Sequence, residues 1–397
     1  MTGPAATGRE VPFAGQVDAA FAPLEGVFRS NFTPGADGSC DLGAALCVIV
    51  DGRVVVDCWA GWRDIDASRP WESDTLVNAY SVLKPVTAVV ALSLVERALL
   101  GLDTPVASLW PEFARAGKEA VTLRQVLAHR AGLPAARRVL ADDALYDWDA
   151  MCDALAESEP WWEPGTAHGY HVNTFGFLVG EPVRRTTGMQ FAGALRDLVT
   201  GPLDLDIHLG VARRDIARLA EVDAPAPATS PGSPTPPGPA AGVEERRQML
   251  LHTYLNPPGL SGIGTVNSLT WRRAVIPSTN GHATARGVAE FYSALLPGAR
   301  RPLLSSDTLR EAIEPHSDGH DLILDRQSRF GLGFTLHMDT RPVGVTASAF
   351  GHYGYGGSLG FADPDAGIAF AYLINRPGDR WQNPRTRGLL EAVRACS

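Results

Sequence analysis

Apolar residues follow two different rhythms along this chain. Residues 45–59 read Leu46-Cys47-Val48-Ile49-Val50, then Asp51-Gly52, then Arg53-Val54-Val55-Val56-Asp57-Cys58-Trp59. Two such runs across an Asp-Gly pair predict a β-hairpin with a two-residue type I′ turn. From Val82 to Leu100 the apolar residues occupy nearly every side of a helical projection, which predicts a helix buried in the middle of the protein and stopped by Gly101. Proline is tolerated in the first turn of a helix, where N–H groups lack partners anyway, so Pro85 sets the helix start near Ser81.

The same reasoning predicts helices at 123–128, 144–157 and 176–187 and strands at 330–337, 348–352 and 368–374. The last strand follows the turn Asp363-Pro364-Asp365-Ala366-Gly367, and a helix over 385–395 closes the chain. Strands at both ends with helices between them predict an α+β fold, an antiparallel sheet built from the two terminal segments with a helical lobe inserted. The expected division is a sheet lobe from 1–80 and 300–397 and a mainly helical lobe from 81–299, forming one catalytic domain. The proline-rich stretch 224–241 is read as an extended surface loop or lid flank.

Composition narrows the function classes. The 397 residues are 45% hydrophobic and 20% charged with a formal net charge of −9. That is enough for a large core, and a negative balance without a basic run disfavours nucleic acid or an anionic membrane as partner. No apolar run reaches the roughly 20 residues of a membrane span, and the first residues carry no secretory pattern, so a cytoplasmic location is expected. Cys40, Cys47, Cys58, Cys152 and Cys396 are odd in number and lack C-x-x-C spacing, so they are read as reduced thiols. Pairs such as His168 with His171, or His316 with His320, lack a convincing third ligand, and no metal or cofactor is expected.

Against this background one basic residue stands out. The chain holds only two lysines among its many arginines, and one of them, Lys84, follows Ser81 by three residues. Arginine stays charged in any protein, whereas a buried ammonium can lose its proton and act as a base. A serine and a lysine one helical turn apart share a face. Ser81 at the helix start also has its own N–H among the unpaired donors that can hold a developing oxyanion. The other lysine, Lys118, lies in a polar stretch and is expected on the surface. A rival nucleophile is Ser358 in Gly356-Gly357-Ser358-Leu359-Gly360, which matches a G-x-S-x-G elbow but has no histidine after it, as that fold requires. Its glycines are read instead as sites of close backbone approach to a ligand.

Taken in order, several segments resemble the serine β-lactamase and penicillin-binding protein family, in particular its class C-like branch of esterases and transacylases. Ser81-Val82-Leu83-Lys84 is similar to the S-x-x-K motif, and Leu127-Ala128-His129-Arg130-Ala131-Gly132-Leu133-Pro134 is similar to L-x-H-x-x-G-L-P. Tyr170 resembles the tyrosine of Y-x-N, and His352-Tyr353-Gly354 the K-T-G-like element on a sheet edge. The resemblance implies Ser81 as acylated nucleophile, Lys84 and Tyr170 as the groups sharing its proton, and the backbone N–H groups of Ser81 and Tyr355 as oxyanion hole. It implies substrate contacts at His352, Tyr353 and Gly354, and Trp161, Trp162, Tyr353 and Tyr355 could wall an acyl pocket. Two positions depart from the family pattern: Val172 replaces its asparagine and His352 its lysine, and both changes weaken β-lactam recognition. The expected substrate is a small carboxylic ester, its acyl group passing to water or to an acceptor alcohol or amine. The alternatives are a β-lactamase or D-amino-acid peptidase, and a non-catalytic binding protein on the same fold. Oligomeric state is left open.

Overall fold

The computed structural model describes residues 10–35, 38–224, 241–379 and 381–396. The proline-rich 224–241 stretch lies outside them except for its two ends. The hairpin forms where it is expected, with strands Gly43–Val50 and Arg53–Gly61, and Asp51 and Gly52 both take the positive φ that a type I′ turn needs (49° and 76°). It sits inside a nine-stranded antiparallel sheet. In spatial order the strands are Phe13–Val17, Arg53–Gly61, Gly43–Val50, Ile368–Ile374, Leu359–Asp363, Phe350–Tyr353, Thr335–Leu336, Arg326–Phe330 and Ser317–Asp321. The two terminal segments therefore meet in mid-sheet, where Gly43–Val50 pairs with Ile368–Ile374.

Side chains alternate across the central strands. Leu46, Val48, Phe370 and Tyr372 join the core that holds Leu24, Phe28, Leu389 and Val393 of helices Ala22–Ser30 and Pro384–Cys396. Cys47, Ile49, Ala369, Ala371 and Leu373 face the larger core, which holds the central helix and helix Ala285–Ser293. With both faces covered, these strands lack polar positions, which is why they read as continuous apolar runs.

The central helix begins as a tight 3₁₀ turn, Tyr80–Leu83, and continues as α-helix Lys84–Glu96 with Pro85 in its first turn. Every residue from Lys84 to Leu94 is buried, as the all-round apolar pattern predicts. A small sheet of Val77–Asn78, His282–Ala283 and Ile207–His208 anchors the approach to this helix, and the Ala79 N–H donates to the Gly281 carbonyl at 2.8 Å.

Several expectations are corrected. The strand predicted over 330–337 is broken: Arg326–Phe330 and Thr335–Leu336 flank a turn at Gly331 and Gly333, the latter with φ +84°. Strands Phe13–Val17 and Ser317–Asp321, with sequences FAGQV and SDGHD, lack the alternation that would have marked them. Lys118 is fully buried, with Nζ donating to the carbonyls of Arg115 (2.7 Å), Ala156 (3.0 Å) and Ser158. Burial lowers its pKa to about 8. It ties a loop to the end of helix Trp148–Glu157 and is structural.

Candidate active site

Ser81 lies in the 3₁₀ turn and is partly exposed, whereas Lys84 and Tyr170 are fully buried. The preceding Tyr80 holds φ at +50°, a left-handed conformation that a bulky residue adopts only where the surroundings enforce it. The small sheet and the edge contact between the rings of Tyr80 and Tyr355, 5.4 Å apart, supply that enforcement.

Lys84 Nζ has three polar neighbours: Ser81 Oγ at 3.0 Å, the Val172 carbonyl at 2.7 Å and the Ser278 carbonyl at 3.1 Å. None is a carboxylate, so nothing offsets the cost of burying the charge, and burial pulls the Lys84 pKa well below its ordinary 10.5. A neutral amine fits these neighbours: two N–H bonds serve the two carbonyls, and the lone pair faces the Ser81 hydroxyl. That is the arrangement of a base about to take a serine proton.

Tyr170 comes from a loop that runs into helix Phe175–Thr187. Its ring stacks on Phe330 (5.9 Å, 6° between planes) and lies 4.9 Å from Lys84 Nζ. Burial raises its phenol well above the ordinary value of 10, and the adjacent Ser81 hydroxyl offsets part of that. The phenol is therefore protonated at neutral pH, and its oxygen makes no hydrogen bond of good geometry among the described residues. The Tyr170 N–H donates to Asp321 Oδ1 at 3.1 Å. That oxygen also accepts from the N–H groups of Ile323 and Leu324, both at 2.9 Å, and Oδ2 accepts from Ser328 at 3.0 Å.

His352 faces the site because strand side chains alternate. Its Nδ1 must donate to the Tyr353 carbonyl at 2.6 Å, since that oxygen can only accept. Nε2 is then a lone-pair acceptor, buried and without a hydrogen-bond partner among the described residues, and the ring centroid lies 5.6 Å from that of Tyr170. Burial, followed by the nearby Lys84, depresses His352 to about 3, so the ring is neutral. His129 packs edge-on to Tyr170 at 5.1 Å, and its Nδ1 accepts from the His171 N–H at 3.2 Å.

The structure thus brings Ser81, Lys84, Tyr170 and His352 together. Gly354 also belongs there: a Cβ on it would lie 2.8 Å from the Ala79 carbonyl and 3.0 Å from Val82 Cγ2, so only glycine lets this edge approach the nucleophile turn. Tyr353 does not belong. One residue on from His352, its ring enters the opposite core and its hydroxyl donates to the Pro342 carbonyl at 2.7 Å, so the expected substrate contact and pocket wall are out of its reach. Trp161 and Trp162 donate their indole N–H to the carbonyls of Ala135 and Ala167 and pack beside Tyr170's cluster. Tyr355 is 45% exposed at the rim.

Ser358 is 1% exposed, and its Oγ accepts the Ile374 N–H at 3.3 Å, which leaves it no access to a substrate. The flanking glycines approach the chain itself, not a ligand: Cβ atoms on Gly356 and Gly357 would collide with Pro377 and Asn383. Sequence reasoning missed the carbonyls of Val172 and Ser278, the anchor Asp321, and Trp381, whose ring meets Tyr170's edge-on at 5.3 Å. Backbone acceptors carry no residue signature, and the polar run Pro277-Ser278-Thr279-Asn280 was the only available hint.

Known proteins share this fold. The curated protein Esterase/beta-lactamase LipL of Mycobacterium tuberculosis is 33% identical over 371 residues, which cover 91% of this chain and 82% of LipL. The crystal structure of a penicillin-binding protein homologue from Caulobacter crescentus superposes with a TM-score of 0.85 at 34% identity, covering 97% of this chain and 100% of that one. A family VIII carboxylesterase structure gives 0.84 at 32% identity, with the same coverage of 97% and 100%. The family model described as Beta-lactamase matches residues 28–393, and the chain belongs to that family.

Proposed function

We propose that this protein is a serine acyl-enzyme catalyst acting on small carboxylic esters. The observation that carries the reading is the 3.0 Å contact between Ser81 Oγ and a buried Lys84 amine with no carboxylate partner. Lys84 takes the Ser81 proton as the oxygen attacks the ester carbonyl. Tyr170, protonated beside Ser81, gives its phenol proton to the leaving alcohol and regains one from Lys84, which restores the neutral amine, and the backbone N–H groups of Ser81 and Tyr355 hold the oxyanion. Nε2 of neutral His352 accepts a hydrogen bond from the substrate or the incoming nucleophile, and the Gly354 edge borders the ester. The acyl group then leaves Ser81 for water or for an alcohol or amine, since hydrolysis and transfer share one intermediate.

Two relatives support the ester class: one is named an esterase/β-lactamase and another a family VIII carboxylesterase. Val172 and His352, standing where β-lactam enzymes keep polar and cationic groups, favour esters over β-lactams. A cytoplasmic setting suits this reading, given that all five cysteines are free. Among the described residues no helix is long and apolar enough to cross a membrane.

The test is mass spectrometry of the acyl adduct formed from p-nitrophenyl butyrate, together with steady turnover of that ester. An adduct on Ser81 with turnover is expected, and Ser81→Ala abolishes both. An unlabelled protein, or a label elsewhere, sinks the reading. The first relative's double name makes a β-lactamase the second reading, and faster hydrolysis of a cephalosporin than of any ester would favour it.

A further inference from the structure

Beside the nucleophile site lies a cavity of about 450 Å³ whose charge is one-sided. Arg326, Arg341 and Arg387 line it, with Asp379 as the sole acidic lining residue and Tyr254 and Trp381 as aromatic walls. Several other half-buried arginines pair with acids: Arg124 with Asp103 and Glu311, Arg184 with Glu181 and Asp149, and Arg218 with Asp206 and Asp215. Among the described residues, no ion pair or side-chain hydrogen bond engages Arg326, Arg341 or Arg387. Arg326 is half-buried, its guanidinium lies 5.0 Å from the centroid of the Trp381 ring, and burial and then the like charge of Arg341 work against its protonation, only partly offset by the charge of Asp321. Half-buried guanidiniums that repel each other and lack acceptors cost stability, and an anion arriving between them would reverse both terms.

The cavity connects to the chemistry through one ring. Trp381 carries Arg326 on one side and meets Tyr170 edge-on at 5.3 Å and His352 at 6.3 Å. Trp381 therefore stands between the arginines and the rings of Tyr170 and His352.

We propose that this arginine cavity is a substrate subsite, and that the preferred ester carries an anionic group, a carboxylate or a phosphate, held by Arg326 and Arg341 with Arg387 at the mouth. The proposal rests on the ester-cleaving reading of Ser81 and specifies its substrate class.

The experiment compares kcat/KM for matched pairs of esters that differ in charge. Mono-p-nitrophenyl glutarate against p-nitrophenyl pentanoate places the anion in the acyl half, and para-acetoxybenzoate against para-tolyl acetate places it in the alcohol half. At low ionic strength the anion of at least one pair is expected to be favoured about tenfold. That ratio falls toward unity in Arg326→Gln and Arg341→Gln and is partly kept in Arg326→Lys. Turnover of the neutral esters with no preference in either pair, or a preference that both Gln variants keep, overturns the subsite while leaving the esterase reading in place. If no ester reacts, the esterase reading fails and calorimetry with glutarate and with inorganic phosphate decides the cavity on its own. Binding of either anion that Arg326→Gln abolishes upholds an anion site and tells carboxylate from phosphate, and no binding, or binding indifferent to that change, overturns it.

Discussion

Asp321 holds Tyr170 by its backbone: the Tyr170 N–H donates to Asp321 Oδ1 at 3.1 Å, across 151 residues of sequence. The same oxygen collects the N–H groups of Ile323 and Leu324, so one buried carboxylate fixes both the tyrosine loop and the turn that leads to the arginine cavity. Asp321→Ala is expected to lower kcat about tenfold to hundredfold through misplacement of the tyrosine, with a smaller change in KM. Asp321→Asn keeps an acceptor oxygen and is expected to recover most of that loss, which a purely volumetric role for the side chain would not produce. Steady-state kinetics of the two variants checks this.

Lys84 is expected to act through its removable proton. Lys84→Arg keeps a cation and a donor but cannot accept from Ser81, so kcat/KM should fall at least about a hundredfold at every pH. Equal activity in the arginine variant would remove Lys84 from the base role.

The depressed Lys84 pKa also predicts two pH effects of defined sign. Below its folded value the amine is protonated and cannot take the serine proton, so kcat/KM in the wild type rises along an alkaline-going limb and then levels off. For stability, the fold disfavours the charged form. Between the depressed folded value and the unfolded value of about 10.4 the unfolded chain binds more protons, so stability rises with pH across that window and levels off above it. Urea unfolding of wild type and Lys84→Met across this range should show their difference moving in favour of the wild type as pH increases.

Ser358 is expected to be structural. Ser358→Ala leaves the Ile374 N–H without its acceptor and should cost about 1–2 kcal/mol of stability, while Ser81 is still acylated at the wild-type stoichiometry. The measurements are chemical unfolding and mass spectrometry of the adduct.

Lys118 should behave as the opposite of Lys84. Its Nζ serves three carbonyls and faces no hydroxyl nucleophile, so Lys118→Ala is expected to cost about 3 kcal/mol in unfolding free energy. The kcat of the fraction that remains folded should be unchanged.

Much of the site was legible because its key spacing is local. Ser81 and Lys84 are one turn apart, Pro85 marks the start of that turn, and the all-round apolar stretch behind them could only be a buried helix. The hairpin was equally legible, since Asp51-Gly52 specifies its own turn. The strand break at Gly331 and Gly333 and the polar strand Ser317–Asp321 were not, because pairing partners and not side-chain alternation define them. The opposite fates of the two lysines show the same division, for the polar stretch around Lys118 gives no sign of the three distant and local carbonyls that enclose it.

The sequence by itself determined the family and the candidate groups: a serine, a lysine that can lose its proton, a tyrosine and a histidine in an order that fits one family of folds. Only the tertiary structure decided their states. The charged form of Lys84 is disfavoured because it is buried among carbonyls 88 and 194 residues away with no carboxylate beside it among the described residues, and His352 offers Nε2 as an acceptor because it is buried with Nδ1 bound to the Tyr353 carbonyl. Strand alternation sent His352 into the site and Tyr353 out of it, and folding gathered beside Trp381 three arginines that have no ion pair among the described residues. Protonation and desolvation depend on what surrounds a group in space, and in this chain those surroundings come from segments far apart in sequence.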